Sequence, residues 1–386
     1  MRVVLFAGKC GVGKTTAAAA TAALAGARGA RVLLVSTDSA HSLADTVGRS
    51  VGPAPAPVGP GVEAMQVEPR QWFEQRWPGA RRWLPDLLSG LDAVPGLDEV
   101  SAAELALPPG VGELIALLEV RDRTATGGWD AVLVDCAPTG QLLPVLALPE
   151  TLSGSVERLW PAHRRIVRAL GRPGGFPAAL DSLQEALTGV RSLLATATVR
   201  LVLTPEAVVV AEARRTLTAL ALHGYPVDSV IANRVLPAEA GDSPWAAGWR
   251  VAQRAALADL ELDLPLRRAT YRPAEPVGLP ALRDLGAEIY RDADPLAAGP
   301  APEPPAVSRS GAGYELRVAL PYVRRSDVRL ARSGDELVLT VGDQLRRLAL
   351  PSVLRRCVAV GASAGDGAVR VRFRPDPALW PRELAR

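Results

Sequence analysis

The stretch Gly8–Thr16, GKCGVGKTT, constrains the fold of this chain more than any other. It follows the apolar run RVVLFA and precedes a long alanine-rich segment, which predicts a buried strand, a glycine-rich turn and a helix in that order. Such a turn lets successive backbone N–H groups face inward at the start of a helix, where the helix dipole adds positive potential. The spacing Gly8-x-x-x-x-Gly13-Lys14-Thr15 therefore predicts a phosphate-binding loop.

The residue types in this loop suit a nucleotide and its metal ion. The positions expected to surround bound ATP are Gly8, Lys9, Cys10, Gly11, Val12, Gly13, Lys14, Thr15 and Thr16. Lys14 is expected to reach the β- and γ-phosphates, and Thr15 to give its hydroxyl to Mg²⁺. The chain has 44 Lys plus Arg residues, yet only Lys9 and Lys14 are lysines. Because a compact ammonium fits inside such a loop and a planar guanidinium does not, this usage favours a phosphate-binding role for Lys14.

Residues 1–291 carry the alternating pattern of an α/β unit. Alanine- and leucine-rich segments separate short runs that are apolar on both faces, and these runs are RVVLFAG, RVLLVSTD, WDAVLVD, RLVLTPE and SVIANRV. Such runs are typical of strands buried between helices, so we expect a mostly parallel P-loop NTPase sheet flanked by helices. Helical insertions are expected at its ligand-facing edge, one containing Trp72, Trp77 and Trp83 and another at 152–195.

The rest of the chain has a different composition. Residues 292–313 are dominated by Pro, Ala and Gly, which predicts a linker. Residues 314–375 alternate apolar and polar residues between glycine-containing turns, which is the pattern of a small all-β sandwich with antiparallel strands. Residues 376–386 are expected to form a C-terminal tail.

The composition argues against several classes of protein. The net charge is +3 and the arginines are interspersed with 41 acidic residues, so we expect no nucleic-acid partner. No apolar stretch approaches the roughly 20 residues that span a bilayer, so we expect no transmembrane segment and a cytoplasmic location. The separated cysteines Cys10, Cys136 and Cys357 form neither a disulfide framework nor a CxxC pair, which argues against structural zinc.

Two further stretches each follow a predicted strand. They are STDSAHSLAD at 36–45 and DCAPTGQLLPVLALP at 135–149. Both resemble the switch motifs of the ArsA family, which includes the arsenite-pump ATPase and the ATPase that targets tail-anchored membrane proteins, and the resemblance covers most of the α/β unit. It implies that Asp38 orients or activates the attacking water, that Asp135 holds Mg²⁺ through its water shell, and that Asn233 contacts adenine. Carboxylates at the ends of adjacent parallel strands point toward bound phosphates, which supports the first two roles.

Lys9 also has a counterpart in this resemblance. The loop is similar to the deviant phosphate loop GKGGVGKT of the SIMIBI class, in which the first lysine contacts phosphates bound by the partner subunit. The resemblance implies that Lys9, Lys14 and Asp38 form the catalytic set, and that the chain, which has one phosphate loop, acts as a homodimer. An ordinary surface lysine is the alternative for Lys9, and helix capping is the alternative for Asp38 and Asp135.

The sequence departs from the family pattern at several positions. Cys10 stands where the deviant loop has glycine, and Ser39, Cys136 and Gln141 replace the usual Pro, Thr and His of the switch motifs. None of these changes removes a phosphate or metal ligand. The chain also lacks the clustered cysteines that bind arsenite in the family, so we do not expect thiolate-based metalloid binding.

Residues 314–375 resemble the small heat-shock protein (α-crystallin) domain that is appended to some ArsA-like ATPases. The resemblance implies strand edges that pair with partners or unfolded chains, and the alternative is a generic β-domain. Members of the family form an apolar client groove in the helical insertions. The resemblance implies a client groove in this region here, and ordinary helix packing is the alternative. The apolar residues of the region are Trp72, Phe73, Trp77, Trp83, Leu84, Leu87, Leu88, Leu91, Trp160 and Phe176.

We therefore expect an Mg²⁺-dependent ATPase whose dimer opens and closes to handle a partner. A hydrophobic polypeptide or a membrane protein is the expected partner. The alternatives are a ParA- or MinD-like positioning ATPase, the ATPase subunit of an anion efflux system of the arsenite type, and a scaffold that binds ATP without hydrolysing it.

Overall fold

The computed structural model describes residues 1–38, 41–69, 71–72, 111–146, 185, 188–241, 243–260 and 263–380. These residues form an α/β unit followed by an all-β domain. Several positions singled out in the sequence lie outside the described residues, namely Ser39, Phe73, Trp77, Trp83, Leu84, Leu87, Leu88, Leu91, Trp160 and Phe176. The predicted client groove therefore stays a prediction.

An eight-stranded sheet forms the centre of the α/β unit, in the order β3-β4-β2-β5-β1-β6-β7-β8. Its strands are β1 (Arg2–Ala7), β2 (Val32–Ser36), β3 (Ala56–Gly59), β4 (Val62–Gln66), β5 (Ala131–Asp135), β6 (Thr198–Leu203), β7 (Val227–Val235) and β8 (Leu266–Thr270). Neighbouring strands pair in parallel, except that β3 pairs antiparallel with β4 at one edge. The mostly parallel sheet predicted from the sequence is confirmed.

Helices cover both faces of this sheet. Those with defined ends are α1 (Lys14–Ala27), α2 (Ser42–Val47), α3 (Val111–Thr126), α4 (Ala207–His223), α5 (Pro244–Ala258) and α6 (Leu279–Tyr290). Gly286 allows α6 to approach α1 closely, because a Cβ added at Gly286 would lie 2.5 Å from the carbonyl oxygen of Ala20. Every residue of β2 and β5 is buried, as strands covered by helices on both faces require.

The sheet has its topological switch point at β1, where consecutive strands begin to add on the other side of the sheet. This strand lies between β5 and β6, so the chain builds the sheet outward on opposite sides of β1. At such a point the loops after neighbouring strands diverge and leave a crevice beyond their carboxyl ends. The loops after β1, β2 and β5 meet here, and they carry the residues Gly8–Thr16, Asp38 and the end of β5 at Asp135.

The all-β domain consists of two antiparallel sheets with one hydrophobic core. Its elements are β9 (Ala306–Ser310), β10 (Gly313–Ala319), β11 (Val328–Ser333), β12 (Glu336–Val341), β13 (Gln344–Ala349), α7 (Ser352–Arg355), β14 (Cys357–Gly365) and β15 (Ala368–Pro375). The sheets have the orders β14-β15-β10-β9 and β11-β12-β13, and Leu316, Leu339 and Phe373 are buried between them. The predicted antiparallel β-sandwich is confirmed.

One strand of this domain differs from the sequence prediction. Strand β9 lies within the range 292–313, where we expected a linker. In β9 only Val307 is partly buried, and the strand is ordered by backbone pairing with β10. The linker prediction is therefore wrong for residues 306–310. A strand can form there because backbone hydrogen bonds to β10 hold it, and these bonds need little apolar side-chain area. Trp380, in the predicted tail, packs beside the ring of Tyr314 with centroids 5.8 Å apart.

The β-domain docks on α4. The Thr218 hydroxyl donates to the Pro321 carbonyl oxygen at 2.7 Å, and the Arg214 guanidinium lies 4.6 Å from the centroid of the Tyr322 ring. Arg346 donates to the carbonyl oxygen of Leu222, whose side chain is completely buried in the core of the β-domain. The last turns of α4 are therefore shared by the two units.

Crossing a bilayer takes a long apolar helix, and none of the helices in the described ranges meets both requirements.

Candidate active site

The loop after β1 has the conformation that its glycines allow. Gly13 has φ 92°, and a Cβ there would lie 2.3 Å from the side-chain nitrogen of Asn233. A Cβ on Gly8 would lie 2.3 Å from the carbonyl oxygen of Val202. Both positions therefore require glycine, one for its backbone angle and both for the close approach of neighbouring groups.

Helix α1 begins directly after this loop, and no side chain of its cap or first turn offsets the positive end of its dipole. Its N-cap, Gly13, offers no side-chain hydrogen bond, and the first turn contains no acidic residue. The first N–H groups of a helix need partners from outside it, and they favour an anion. The loop and the start of α1 thus form a cradle whose geometry and charge suit an anion.

Lys14 provides the positive charge at the base of the cradle. Its residue is only 5% exposed, and its ammonium donates to the carbonyl oxygen of Lys9 at 3.4 Å. Among the described residues Lys14 forms no ion pair with a carboxylate. A buried ammonium is stabilised by a nearby negative charge, and the phosphates of a nucleotide would supply it.

Asp135, at the end of β5, lies beside the cradle and is completely buried. Its Oδ2 atom accepts hydrogen bonds from the hydroxyls of Thr15 at 2.8 Å and Ser36 at 3.2 Å. Its Oδ1 atom is buried and has no hydrogen-bond partner within the described part of the chain. The Thr15 hydroxyl is also 3.1 Å from that of Ser42. Oxygen groups arranged in this way fit a hard cation such as Mg²⁺.

The electrostatics of Asp135 support the same conclusion. Burial, opposed by the Thr15 hydrogen bond and the Lys14 charge, raises the pKa of the Asp135 carboxyl to about 6. The charge of Asp38 acts in the same direction as burial. The two carboxylates therefore share one electrostatic environment, which a divalent cation would stabilise.

Asp38 lies two residues after the end of β2. Its backbone N–H donates to the hydroxyl of Ser36 at 3.4 Å, and its carbonyl oxygen accepts from the side-chain amide of Gln66 at 3.0 Å. These bonds attach Asp38 to β2 and β4. Residues 39 and 40, which follow, lie outside the described residues, so the role expected for Asp38 stays a prediction.

Lys9 lies on the exposed part of the loop. It pairs with Glu212 of α4, with 3.0 Å between Nζ and Oε2. Lys9, Cys10 and Gly11 are all exposed. The sequence pattern gave no indication of the Glu212 contact, because α4 reads as an ordinary helix.

Asn233 contacts the loop itself. Its side-chain amide donates to the carbonyl oxygen of Val12 at 2.9 Å, and its Oδ1 atom accepts from the backbone N–H of Arg234. A cleft of about 510 Å³ adjoins this contact, and Gly13, Thr16, Asn233 and the segment 270–277 line it. The sequence reasoning missed this segment, which follows β8 and contains the half-exposed Tyr271.

The substituted switch position at Cys136 is structural. Cys136 is buried, and its backbone N–H donates to the carbonyl oxygen of Phe6 at 3.2 Å. Burial and the neighbouring charge of Asp135 raise the pKa of its thiol well above the usual range. The next turn is joined to the loop, because the backbone N–H of Thr139 donates to the carbonyl oxygen of Gly8 at 3.2 Å.

Comparisons with known proteins agree with this geometry. A family model described as "Anion-transporting ATPase" matches residues 1–291, and one described as "HSP20-like domain found in ArsA" matches residues 311–373. Protein Rv2184c of Mycobacterium tuberculosis is 37% identical and covers 98% of this chain and 97% of its own length. A putative arsenical pump-driving ATPase of Prosthecochloris vibrioformis is 31% identical, with 97% of this chain and 95% of that protein covered. ATPase GET3B of Arabidopsis thaliana is 30% identical, with 74% of this chain and 78% of that protein covered.

The fold, the loop and both family matches lead to one assignment. An ATPase unit with a phosphate-binding loop comes first in the chain, and an HSP20-like domain follows it. The chain therefore belongs to the ArsA family of anion-transporting ATPases and is an ATPase with an appended HSP20-like domain.

Proposed function

We propose that this chain hydrolyses ATP at the Gly8–Thr16 loop as a homodimer, and that opening and closing of the dimer handles a hydrophobic polypeptide. The buried Lys14 ammonium carries this proposal, because it lies in a glycine loop with no carboxylate partner among the described residues. A triphosphate supplies the missing charge, and the open start of α1 supplies N–H donors.

Each residue of the site has a role in this proposal. Lys14 and the N–H groups of the loop bind the phosphates, and Lys9 reaches the nucleotide held by the partner subunit. Asp38 orients the attacking water. Thr15 and Asp135 would hold Mg²⁺, which when bound neutralises charge on the phosphate oxygens.

The base of the nucleotide would occupy the cleft next to Asn233. One hydrogen of its amide is bonded to Val12, and the other is available for the base. Tyr271 lines the same cleft and offers an aromatic face.

The HSP20-like domain supports a polypeptide as the partner. Its sheets end at β9, β14, β11 and β13, each of which pairs on one side only among the described strands. Exposed strand edges are suited to pairing with an extended chain.

Lys14 variants test the nucleotide site. Lys14→Ala is expected to lower kcat for ATP hydrolysis by about 100-fold or more, because one essential charge contact to the phosphates is lost. Lys14→Arg, which keeps the charge, is expected to be nearly as inactive because the guanidinium does not fit the loop. Phosphate release by folded, full-length protein measures both, and wild-type turnover in either variant would contradict the proposal.

An aggregation assay tests the partner. The full chain is expected to reduce aggregation of a heat-denatured model enzyme, and Mg²⁺ with ATP is expected to change that effect in the wild type but not in Lys14→Ala. Equal aggregation with and without the chain would contradict the polypeptide proposal.

A second candidate is the ATPase subunit of an anion efflux system. The printed name of the Prosthecochloris relative, a putative arsenical pump-driving ATPase, favours it. Stimulation of ATP hydrolysis by arsenite would support this candidate, and an unchanged rate would count against it.

A further inference from the structure

We propose that Glu212 is a positioning residue for Lys9: it holds the Lys9 ammonium against its own subunit until the phosphates of a partner subunit compete for it. This inference rests on the proposed role of Lys9 across the dimer. The observation behind it is the ion pair between the Lys9 Nζ and Glu212 Oε2 atoms, which are 3.0 Å apart.

The loop geometry allows Lys9 to leave this pair without rearrangement of the cradle. Its carbonyl oxygen is bonded to the Lys14 ammonium, whereas its side chain is bonded to Glu212 of α4. Rotation about the Lys9 side-chain bonds can therefore move the ammonium while the backbone stays bound to Lys14. The side chains of Lys9 and Glu212 are 43% and 31% exposed, so water and a second subunit can reach both.

Glu212 is held on a rigid element. Helix α4 packs against β6, and its last turns are fixed in the β-domain by Thr218 and Leu222. A charged group on a well-packed helix keeps its position better than one on a loop. Glu212 is therefore a defined counter-ion for Lys9 rather than one of many transient surface contacts.

The partial exposure of the pair limits its strength. Exposed ion pairs are weak and screened by salt, so Glu212 restrains Lys9 but does not trap it. Phosphate groups carry more negative charge than one carboxylate and would displace the Glu212 carboxylate from the Lys9 ammonium. Removal of Glu212 is accordingly expected to tighten the nucleotide-bound dimer by about two- to five-fold.

The experiment measures dimer dissociation constants of full-length protein by sedimentation, with Mg²⁺ and a non-hydrolysable ATP analogue. The wild type, Lys9→Ala, Glu212→Gln and the double variant form a mutant cycle. Glu212→Gln should tighten the dimer about two- to five-fold at low salt and less at high salt, and it should change nothing in the Lys9→Ala background. Glu212→Asp, which keeps the carboxylate, should lie between Glu212→Gln and the wild type, and Glu239→Gln, after β7, is the matched control and should match the wild type.

The outcomes separate the two proposals. If Lys9→Ala dimerises as tightly as the wild type, the role of Lys9 across the dimer fails. If Lys9→Ala weakens the dimer but Glu212→Gln does not change its dissociation constant, the inference about Glu212 is wrong and the proposed function stands. The same conclusion follows if Glu212→Gln has an equal effect in the wild-type and Lys9→Ala backgrounds.

Discussion

The α/β unit and the β-domain bury their strands in opposite ways. Strands β2 and β5 are buried at every position, whereas β10 and β15 alternate between buried and more exposed positions. The difference follows from architecture, because helices cover both faces of the parallel sheet and the sandwich buries one face of each sheet.

The two hydrophobic cores also differ in how far each depends on residues of the other unit. The β-domain includes Leu222 of α4 in its core, and Tyr322 of the β-domain packs against the core of the α/β unit. Small domains bury a smaller share of their surface and have less stabilisation to spare. The larger unit is therefore stabilised from within, and the smaller one partly by its neighbour.

Among the substitutions proposed here, the largest loss of stability is expected at the buried ion pair of the α/β unit. Asp228 accepts two hydrogen bonds at 2.9 Å from the guanidinium of Arg200, and both residues are almost fully buried. Asp228→Ala leaves Arg200 without its carboxylate and is expected to lower the free energy of unfolding by about 3–5 kcal/mol. Hydrogen exchange of β6 and β7 amides measures this loss.

A matched surface pair sharpens this test. Asp284 pairs with Arg283 at 3.1 Å, and both side chains are more than half exposed. Asp284→Ala should change the exchange rates little, because exposed pairs contribute little. Equal effects of Asp228→Ala and Asp284→Ala would show that burial does not distinguish the two pairs.

The next largest effect is expected where the units share a core. Leu222→Ala removes a completely buried side chain and is expected to destabilise the β-domain by about 2–4 kcal/mol. Faster exchange in β10 and β12, with little change in β1 and β5, would be the signature. Val208→Ala, which removes a 71% exposed side chain from the same helix, is the control. A β-domain as stable in Leu222→Ala as in Val208→Ala would mean that its core is self-contained.

The smallest effect concerns one hydrogen bond between the units. Thr218→Val removes the donor to the Pro321 carbonyl and is expected to cost about 0.5–1.5 kcal/mol in docking. Thr216→Val is the matched control, since the Thr216 hydroxyl donates to the backbone carbonyl oxygen of Glu212 within its own helix. Exchange of the amides around Pro321 should respond to the first variant only, and an equal response to both would place the effect in the helix.

The sequence predicted best what local pattern determines. Strands β1, β2 and β5 are apolar on both faces, and the loop Gly8–Thr16 is a short motif between a strand and a helix. Both signals lie within a few neighbouring residues. Strand β14, CVAVGASAG, has no such signal, because its small residues form a strand only where β15 offers a pairing edge.

The contacts that the sequence did not predict join residues far apart in the chain. Asn233 was expected to contact adenine, but its bond to Val12, 221 positions away, was not predicted. The approach of Glu212 in α4 to Lys9 in the loop was not predicted either. The segment 270–277 joins the same cleft only after β8 is added at the sheet edge. Such contacts are set by topology, which a single sequence does not specify in atomic detail.

Alkylation of Cys10 tests the central claim most directly, because this thiol lies within the loop. Cys10 is exposed, whereas Cys136 and Cys357 are buried and burial raises the pKa of both thiols, so native protein should label at Cys10 alone. With Mg²⁺ and ATP at ten times its Kd, labelling should slow about ten-fold, in proportion to the unliganded fraction. Lys14→Ala should label at the nucleotide-free rate throughout. An unchanged rate of Cys10 labelling in wild-type protein saturated with ATP would contradict phosphate binding at this loop.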